Sequence, residues 1–378
     1  MRFEFSDAQQ AFRRDLKEFL SRETGAARGD GGTDRAFSKR LAERGWIGVA
    51  WPQEYGGRGL GPVEQMIYTE EMILANAPRG YHFVGERQVG PSLIRHGTEA
   101  QKREWLPRMM NADVSFALGL SEPGAGSDLA AAATRAERDG DEYVVTGQKI
   151  WTSNAHLSDC IWLVVRTDPA APKHRGISCL MVDLDSPGVS IRPLFDMTGG
   201  HHFNEVFFDQ VRVPVDRRVG EENQGWYILA EHLDFERSGI ERLIDLEYIF
   251  QDVLALARER AREGRLGTAL RSQLAELALE LEVGRLMCYR VAWMQSAGQV
   301  PNAEASSAKI FGTEWSQRMM ATAMRLLGLE GAASLPSAAL AATVRTGYLN
   351  AVSRTIAGGT SEVQRNIIAS RGLGLPRS

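Results

Sequence analysis

Apolar residues recur every three or four positions over the first part of the chain. They alternate more tightly in the middle and return to the wider spacing over the last part. Up to residue 112 the pattern is helical. Ser6 or Asp7 can accept hydrogen bonds from the free N–H groups that open a helix. Ala8, Phe12, Leu16, Phe19 and Leu20 then fall on one face. Further helices are predicted over 38–44, 63–76 and 99–111, with a polar, glycine-rich loop over 22–34. Between 113 and 222 the segments 142–146, 160–167, 177–183, 189–192 and 204–213 are short and rich in Val, Ile and Phe. Gly, Pro and Asp bound them, which predicts a strand-rich domain. Long amphipathic stretches over 228–263, 269–297, 303–327 and 338–356 follow, with glycines at the breaks, as in an antiparallel bundle. The expected class is α+β: a helical N-terminal domain (1–112), a middle β-domain (113–222) and a C-terminal helical bundle (223–378).

Composition narrows the functions open to such a chain. Forty-four Lys and Arg against 48 Asp and Glu give a net charge of −4. No excess positive charge exists to displace counterions from a nucleic acid. Cys160, Cys179 and Cys288 lie far apart with no CxxC pair, which suits a reducing compartment. The opening residues lack the basic and apolar regions of a signal peptide, and no run of about 18 apolar residues occurs. A cytoplasmic protein without a membrane span is the expectation. His201-His202 is the one histidine cluster, without a second ligand set, so no metal site is expected. Glycine is in excess: 38 of 378 residues, about a tenth against a usual ~7%.

Four segments carry candidate chemistry. Ser121-Glu-Pro-Gly-Ala-Gly-Ser-Asp128 is a turn whose glycines let backbone approach a flat ligand. It has neither P-loop nor Rossmann spacing, and no GxSxG elbow occurs elsewhere. Gln148-Lys-Ile-Trp-Thr-Ser-Asn154 sets an indole beside two hydroxyls. Gly358-Gly-Thr-Ser-Glu362 reads as a turn into a helix N-terminus, suited to a polar or anionic ligand edge. Asp234-Phe-Glu-Arg237 places a carboxylate able to act as a general base among apolar and small residues. Singly, each also reads as ordinary structure: a turn, a core tryptophan, a capped helix, a solvated charge pair.

Taken in order, these segments resemble the acyl-CoA dehydrogenase family over nearly the whole chain. His96-Gly-Thr-Glu-Ala-Gln-Lys102, Arg175-Gly-Ile-Ser178, Phe203-Asn-Glu-Val-Phe-Phe208, Val211-Arg-Val-Pro214, Gly225-Trp226 and Gly359-Thr-Ser-Glu-Val-Gln-Arg365 extend the match. The resemblance implies a helical domain, a β-barrel-like middle domain and a helical bundle. It also implies removal of two hydrogens from the α and β carbons of an acyl-CoA, in fatty acid or sterol side-chain metabolism. A base takes the α-proton, FAD accepts the β-hydride at N5, and an electron-transferring flavoprotein takes the electrons. By the same resemblance Leu118, Leu120 and Ser121 match flavin contacts, and Ser127 a contact on the flavin or CoA side. Trp151 and Ser153 match residues that pack against and bond the isoalloxazine. Thr360 and Glu362 match the pyrophosphate and adenosine end, which a neighbouring subunit also touches. This implies a homotetramer or dimer, with a hetero-oligomer left open. Segments 74–88 and 227–241 match those lining the acyl group.

The sequence departs from the family where it matters most. The commonest place for the base is a Glu directly before Gly-Thr-Ser, and here Gly358 stands there. A minority of members carry the base in the bundle helix, at the position of Glu236. The expected base is therefore Glu236, with Arg237 as its neighbour on the substrate side. The family's Arg-x-x-Phe-Gly motif is missing, and Gly328-Leu-Glu-Gly331 replaces a common Gly-Gly pair. These departures keep two alternatives open: a non-catalytic or half-catalytic subunit, and an acyl-CoA oxidase using oxygen.

Overall fold

The computed structural model describes residues 4–24, 32–235, 239–333 and 339–376, with backbone alone for 231–235. In chain order come helices α1 (Asp7–Glu23), α2 (Arg35–Glu43), α3 (Pro62–Leu74), α4 (Gly90–His96) and α5 (Glu99–Met110). Eight strands follow: β1 (Phe116–Gly119), β2 (Arg135–Asp139), β3 (Glu142–Lys149), β4 (Cys160–Arg166), β5 (Ile177–Asp183), β6 (Val189–Leu194), β7 (Phe203–Pro214) and β8 (Arg218–Val219). The chain closes with α6 (Gly225–Phe235), α7 (Ile240–Ile244), α8 (Glu247–Arg262), α9 (Thr268–Ser296), α10 (Asn302–Leu327), α11 (Leu329–Ala332), α12 (Ala339–Arg354) and α13 (Ser361–Ile367).

These elements form two compact units. One holds α1, α3 and α7–α13; the other holds α2, α4, α5, all eight strands and α6. The first 112 residues thus contribute to both. The start of α1 follows one of the two caps read from sequence, Ser6. Ser6 Oγ accepts from the Gln9 N–H at 3.2 Å, while Gln9 Oε1 accepts from the Ser6 N–H at 3.0 Å.

In the helical unit the core gathers around Trp315 of α10, fully buried, whose indole donates to the Leu277 carbonyl at 2.9 Å. Charge is buried there too, and Glu70 is held by three partners. Glu70 on α3 accepts from Arg13 of α1 at 2.6 Å, from Tyr289 of α9 at 2.9 Å, and from Arg285 of α9. Arg285 also donates to Glu247 of α8 at 2.6 Å. A carboxylate this deep requires such company.

In the β unit the sheet order is β6-β7-β3-β2-β4-β5-β8, with β1 parallel to β4. Strand β4 is buried on both faces. Cys160, Trp162 and Val164 join one apolar cluster with α4 and α5, and Ile161, Leu163 and Val165 join a second within the sheet. Two buried faces explain its unbroken apolar run.

The stretch 228–263, expected as one helix, is divided among α6, α7 and α8, and α7 opens after Gly239 at φ +71°. The short strands β1, β2 and β8 and helix α4 were not anticipated. Strand β2 buries only Ala136, so it carries no apolar alternation to read. No helix among the described residues is long and apolar enough to cross a membrane.

Candidate active site

In the β unit, β1 delivers the chain into the turn at 121–128. Leu118 and Leu120 are half-buried on this approach, as is Ser121. The turn closes by paired backbone bonds between Glu122 and Ala125 at 2.9 and 3.0 Å. Gly124 and Gly126 face open space, with nothing within 4 Å of a Cβ built on either. Ser127 is exposed beyond them.

A buried ion pair holds this turn from behind. Lys149, at the end of β3, is 0% exposed, and its Nζ donates to Glu122 Oε1 at 2.7 Å and to the Leu120 carbonyl at 3.1 Å. Glu122 also accepts from the N–H groups of Ala133 and Thr134 at 2.7 and 2.9 Å. Burial alone would raise the Glu122 pKa. The Lys149 ammonium and the two amides outweigh it and hold the carboxyl below its ordinary value. A cavity of about 260 Å³ opens beside the pair, lined by Glu122, Gly124, Thr134 and Gln148 among others.

The next turn presents Trp151, 55% exposed and at φ +59°. Positive φ is strained for so bulky a residue. The strain is held by Asn204, which exchanges backbone bonds with Thr152 at 3.1 Å and donates a side-chain bond to the Thr152 carbonyl at 3.0 Å. The Asn154 N–H donates to the His202 carbonyl at 2.9 Å. Trp151 meets Phe203 edge-on at 5.6 Å, and the His156 and His201 rings stack at 3.9 Å. Burial and the adjacent His201 push His156 below its ordinary pKa. Ser153 is exposed, and the buried Thr152 hydroxyl has no hydrogen-bond partner among the described residues.

In the helical unit, Thr360 caps α13 by accepting from the Val363 N–H at 3.2 Å. Its neighbour Glu362 is exposed; its own backbone N–H and the Thr360 hydroxyl hold its carboxyl below the usual range. Both line a groove of about 530 Å³ with Glu314, Gln317, Arg318 and Arg365. Just before it, Gly358 sits at φ +65°, and a Cβ built there would collide with the guanidinium of Arg242.

The structure thus brings Leu118, Leu120, Ser121, Trp151 and Ser153 to adjoining turns of the β unit: the Ile150 N–H donates to the Ser121 carbonyl at 3.0 Å. It gathers Thr360 and Glu362 on one groove of the helical unit. Glu236 and Arg237 lie outside the described residues. Sequence reasoning missed Lys149 as the brace of the turn. Its signal was present, since period two along β3 sets Lys149 on the inward side with Tyr143 and Val145. A lysine there demands an acid.

Three family models cover the chain almost end to end: acyl-CoA dehydrogenase N-terminal domain over residues 6–113, middle domain over 117–211 and C-terminal domain over 223–373. The chain belongs to the acyl-CoA dehydrogenase family. It is 38% identical to the acyl-CoA dehydrogenase FadE26 of Mycobacterium tuberculosis, over the full length of both. Among solved structures it resembles the Tcur3481–Tcur3483 steroid ACAD, at 36% identity, full coverage of both chains and a TM-score of 0.91. It also resembles the ChsE4–ChsE5 complex from Mycobacterium tuberculosis, at 37% identity, full coverage of both and a TM-score of 0.88.

As a member of this family the chain is an FAD-dependent oxidoreductase. Its residues suit that cofactor. An exposed indole, an unpartnered hydroxyl and open-faced glycines fit a flat ring with a polar edge.

Proposed function

We propose that this acyl-CoA dehydrogenase oxidises the α,β bond of a bulky, steroid-type acyl-CoA with Glu236 as the base. The observation that carries the reading is the state of residue 358. Residue 358 is a glycine at positive φ, with the Arg242 guanidinium lying where a Cβ would stand, so no carboxylate is present where most of the family keeps one. The other family position for the base is Glu236. FAD, when bound, supplies at N5 the acceptor for the β-hydride. The chain does the rest. Glu236 receives the α-proton, and Arg237 beside it orients the carboxylate. Leu118, Leu120, Ser121, Ser127, Trp151 and Ser153 seat the ring and the thioester end, and Thr360 and Glu362 seat the pyrophosphate and adenosine end. Within the segments 74–88 and 227–241 expected to line the acyl group, residues 78–88 and 227–235 are the ones assigned to it. An electron-transferring flavoprotein takes the electrons. The substrate class is supported by the steroid ACAD that this chain resembles over its full length.

A second reading concerns assembly. The structure described as the ChsE4–ChsE5 complex favours a working particle in which this chain pairs with a second, different chain. The test is anaerobic mixing of the flavin-loaded protein with a panel of acyl-CoAs. Steroid-side-chain thioesters are expected to bleach the flavin fastest. A flavin that short straight-chain thioesters bleach equally fast contradicts the substrate class. Peroxide release in air as the sole fate of the electrons contradicts the flavoprotein acceptor. A chain that takes up FAD only beside a different partner supports the second reading.

A further inference from the structure

Among the described residues, three cations have less than a tenth of their surface exposed: Arg87 at 7%, Lys149 at 0% and Lys309 at 6%. Two have acids nearby. Lys149 is bonded to Glu122, and Lys309 is attracted by Glu362 and Glu314. The Arg87 side chain forms no hydrogen bond, ion pair or ring contact with any described residue. None of its nitrogens is both sealed from solvent and unbonded, so the guanidinium keeps a narrow opening to solvent with its donors free for a ligand.

The local fold shows that this burial is built in. Arg87 lies in the middle of a π-helical turn, Gly85–Val89, whose five residues are all buried. Such turns insert one residue into a helix and collect at functional sites. An ordinary amphipathic helix would leave some of five consecutive positions in solvent. Here Glu86, Arg87 and Gln88 are held inside together. The turn packs against α4 and α6 within the β unit. It therefore brings segments 78–88 and 227–235 together, the two assigned above to the acyl group. Glu86 is already engaged, its Oε1 accepting from the Gly48 N–H at 3.1 Å. Arg87 is left with its donors unspent.

We propose that Arg87 is a specificity residue that binds an acceptor oxygen carried by the acyl group remote from its thioester: a ketone, a hydroxyl or a carboxylate. The guanidinium fork suits such an oxygen and offers more than one donor to it. A purely hydrocarbon acyl group leaves the cation unpaired, so the site selects oxygenated substrates. The inference rests on the acyl-lining assignment of these segments and deepens it.

The test compares matched thioesters on the flavin-loaded protein. One pair is a steroid-side-chain acyl-CoA with and without a ring ketone or hydroxyl. The other is decanoyl-CoA and its ω-carboxyl counterpart. Binding is read by calorimetry and turnover by anaerobic flavin bleaching, for wild type, Arg87→Met and Arg87→Lys. Wild type is expected to favour the oxygenated member of at least one pair by about 10- to 100-fold in Kd, the worth of a hydrogen bond to a buried charge. Arg87→Met abolishes that preference, and Arg87→Lys, which keeps the charge and loses the fork, retains part of it. The pair that responds identifies the oxygen. No preference in wild type for either pair overturns the proposal and leaves Arg87 hydrated by water alone. So does a preference that survives in a folded, flavin-bearing Arg87→Met protein. Failure of every acyl-CoA to bleach the flavin while calorimetry still shows the preference overturns the dehydrogenation reading and leaves Arg87 standing.

Discussion

The turn at Trp151 and the turn at Gly358 both use positive φ, and they hold it by opposite means. In the β unit the strained residue is a bulky tryptophan, fixed by the Asn204 clamp and flanked by the buried Lys149–Glu122 pair. The surrounding bonds over-determine the strain, so the indole is presented to solvent in one orientation before any ligand arrives. In the helical unit the strained residue is a glycine, which tolerates positive φ, and an arginine fills the space where a side chain would go. One region is built to present a side chain. The other has none, and an arginine head occupies its place. Under the proposed assignment, the cofactor wall and the base are set by separate local devices.

That contrast can be broken in graded steps. The largest effect is expected at Lys149. Lys149→Met leaves Glu122 buried and unpaired, which costs about 3–5 kcal/mol in denaturant unfolding. Adding Glu122→Leu should return most of it. A loss well under 1 kcal/mol from the single variant would show that the pair does not hold the turn. Next comes Gly358→Ala. Left-handed strain and the Arg242 contact together should cost about 1–3 kcal/mol, and Arg242→Ala in the same chain should recover the contact's share. Equal stability of Gly358→Ala and wild type would mean that the turn adapts. Thr360→Ala removes the cap of α13 and should cost about 1 kcal/mol, read as a small drop in the unfolding midpoint.

The smallest effect is a pH dependence. The Glu122 carboxyl is held below its ordinary value of 4.5, so its contribution to stability is complete above that pH. It is lost as pH falls through the lowered value. Unfolding midpoints should therefore decline more steeply below pH 4.5 in wild type than in Glu122→Gln. Parallel curves would separate the carboxylate from the stability of the turn.

Much of this was legible from residue order. Strand β5 and helices α9 and α10 fall within a residue or so of the spans the periodicity predicts, because each has a long or doubly buried apolar pattern. The turn at 121–128 and the indole at 151 stood out by composition. Less legible was whatever tertiary packing decides. Strand β2 is polar and borrows its place from β3 and β4. The π-turn at Gly85–Val89 has no local signature, since burial of Glu86, Arg87 and Gln88 depends in part on α6, distant in sequence. The message of Gly358 needed both levels. The sequence shows a missing acid, and only the structure shows the Arg242 guanidinium standing in its place.

The role of Glu236 is read from the anaerobic rate of flavin bleaching by an acyl-CoA in Glu236→Gln against wild type, with the oxidised flavin spectrum as the control for cofactor binding. An unchanged spectrum and a rate lower by about 100- to 10,000-fold are expected, the usual worth of a general base. A flavin-loaded Glu236→Gln protein that bleaches within about twofold of wild type, far inside that range, would contradict that role.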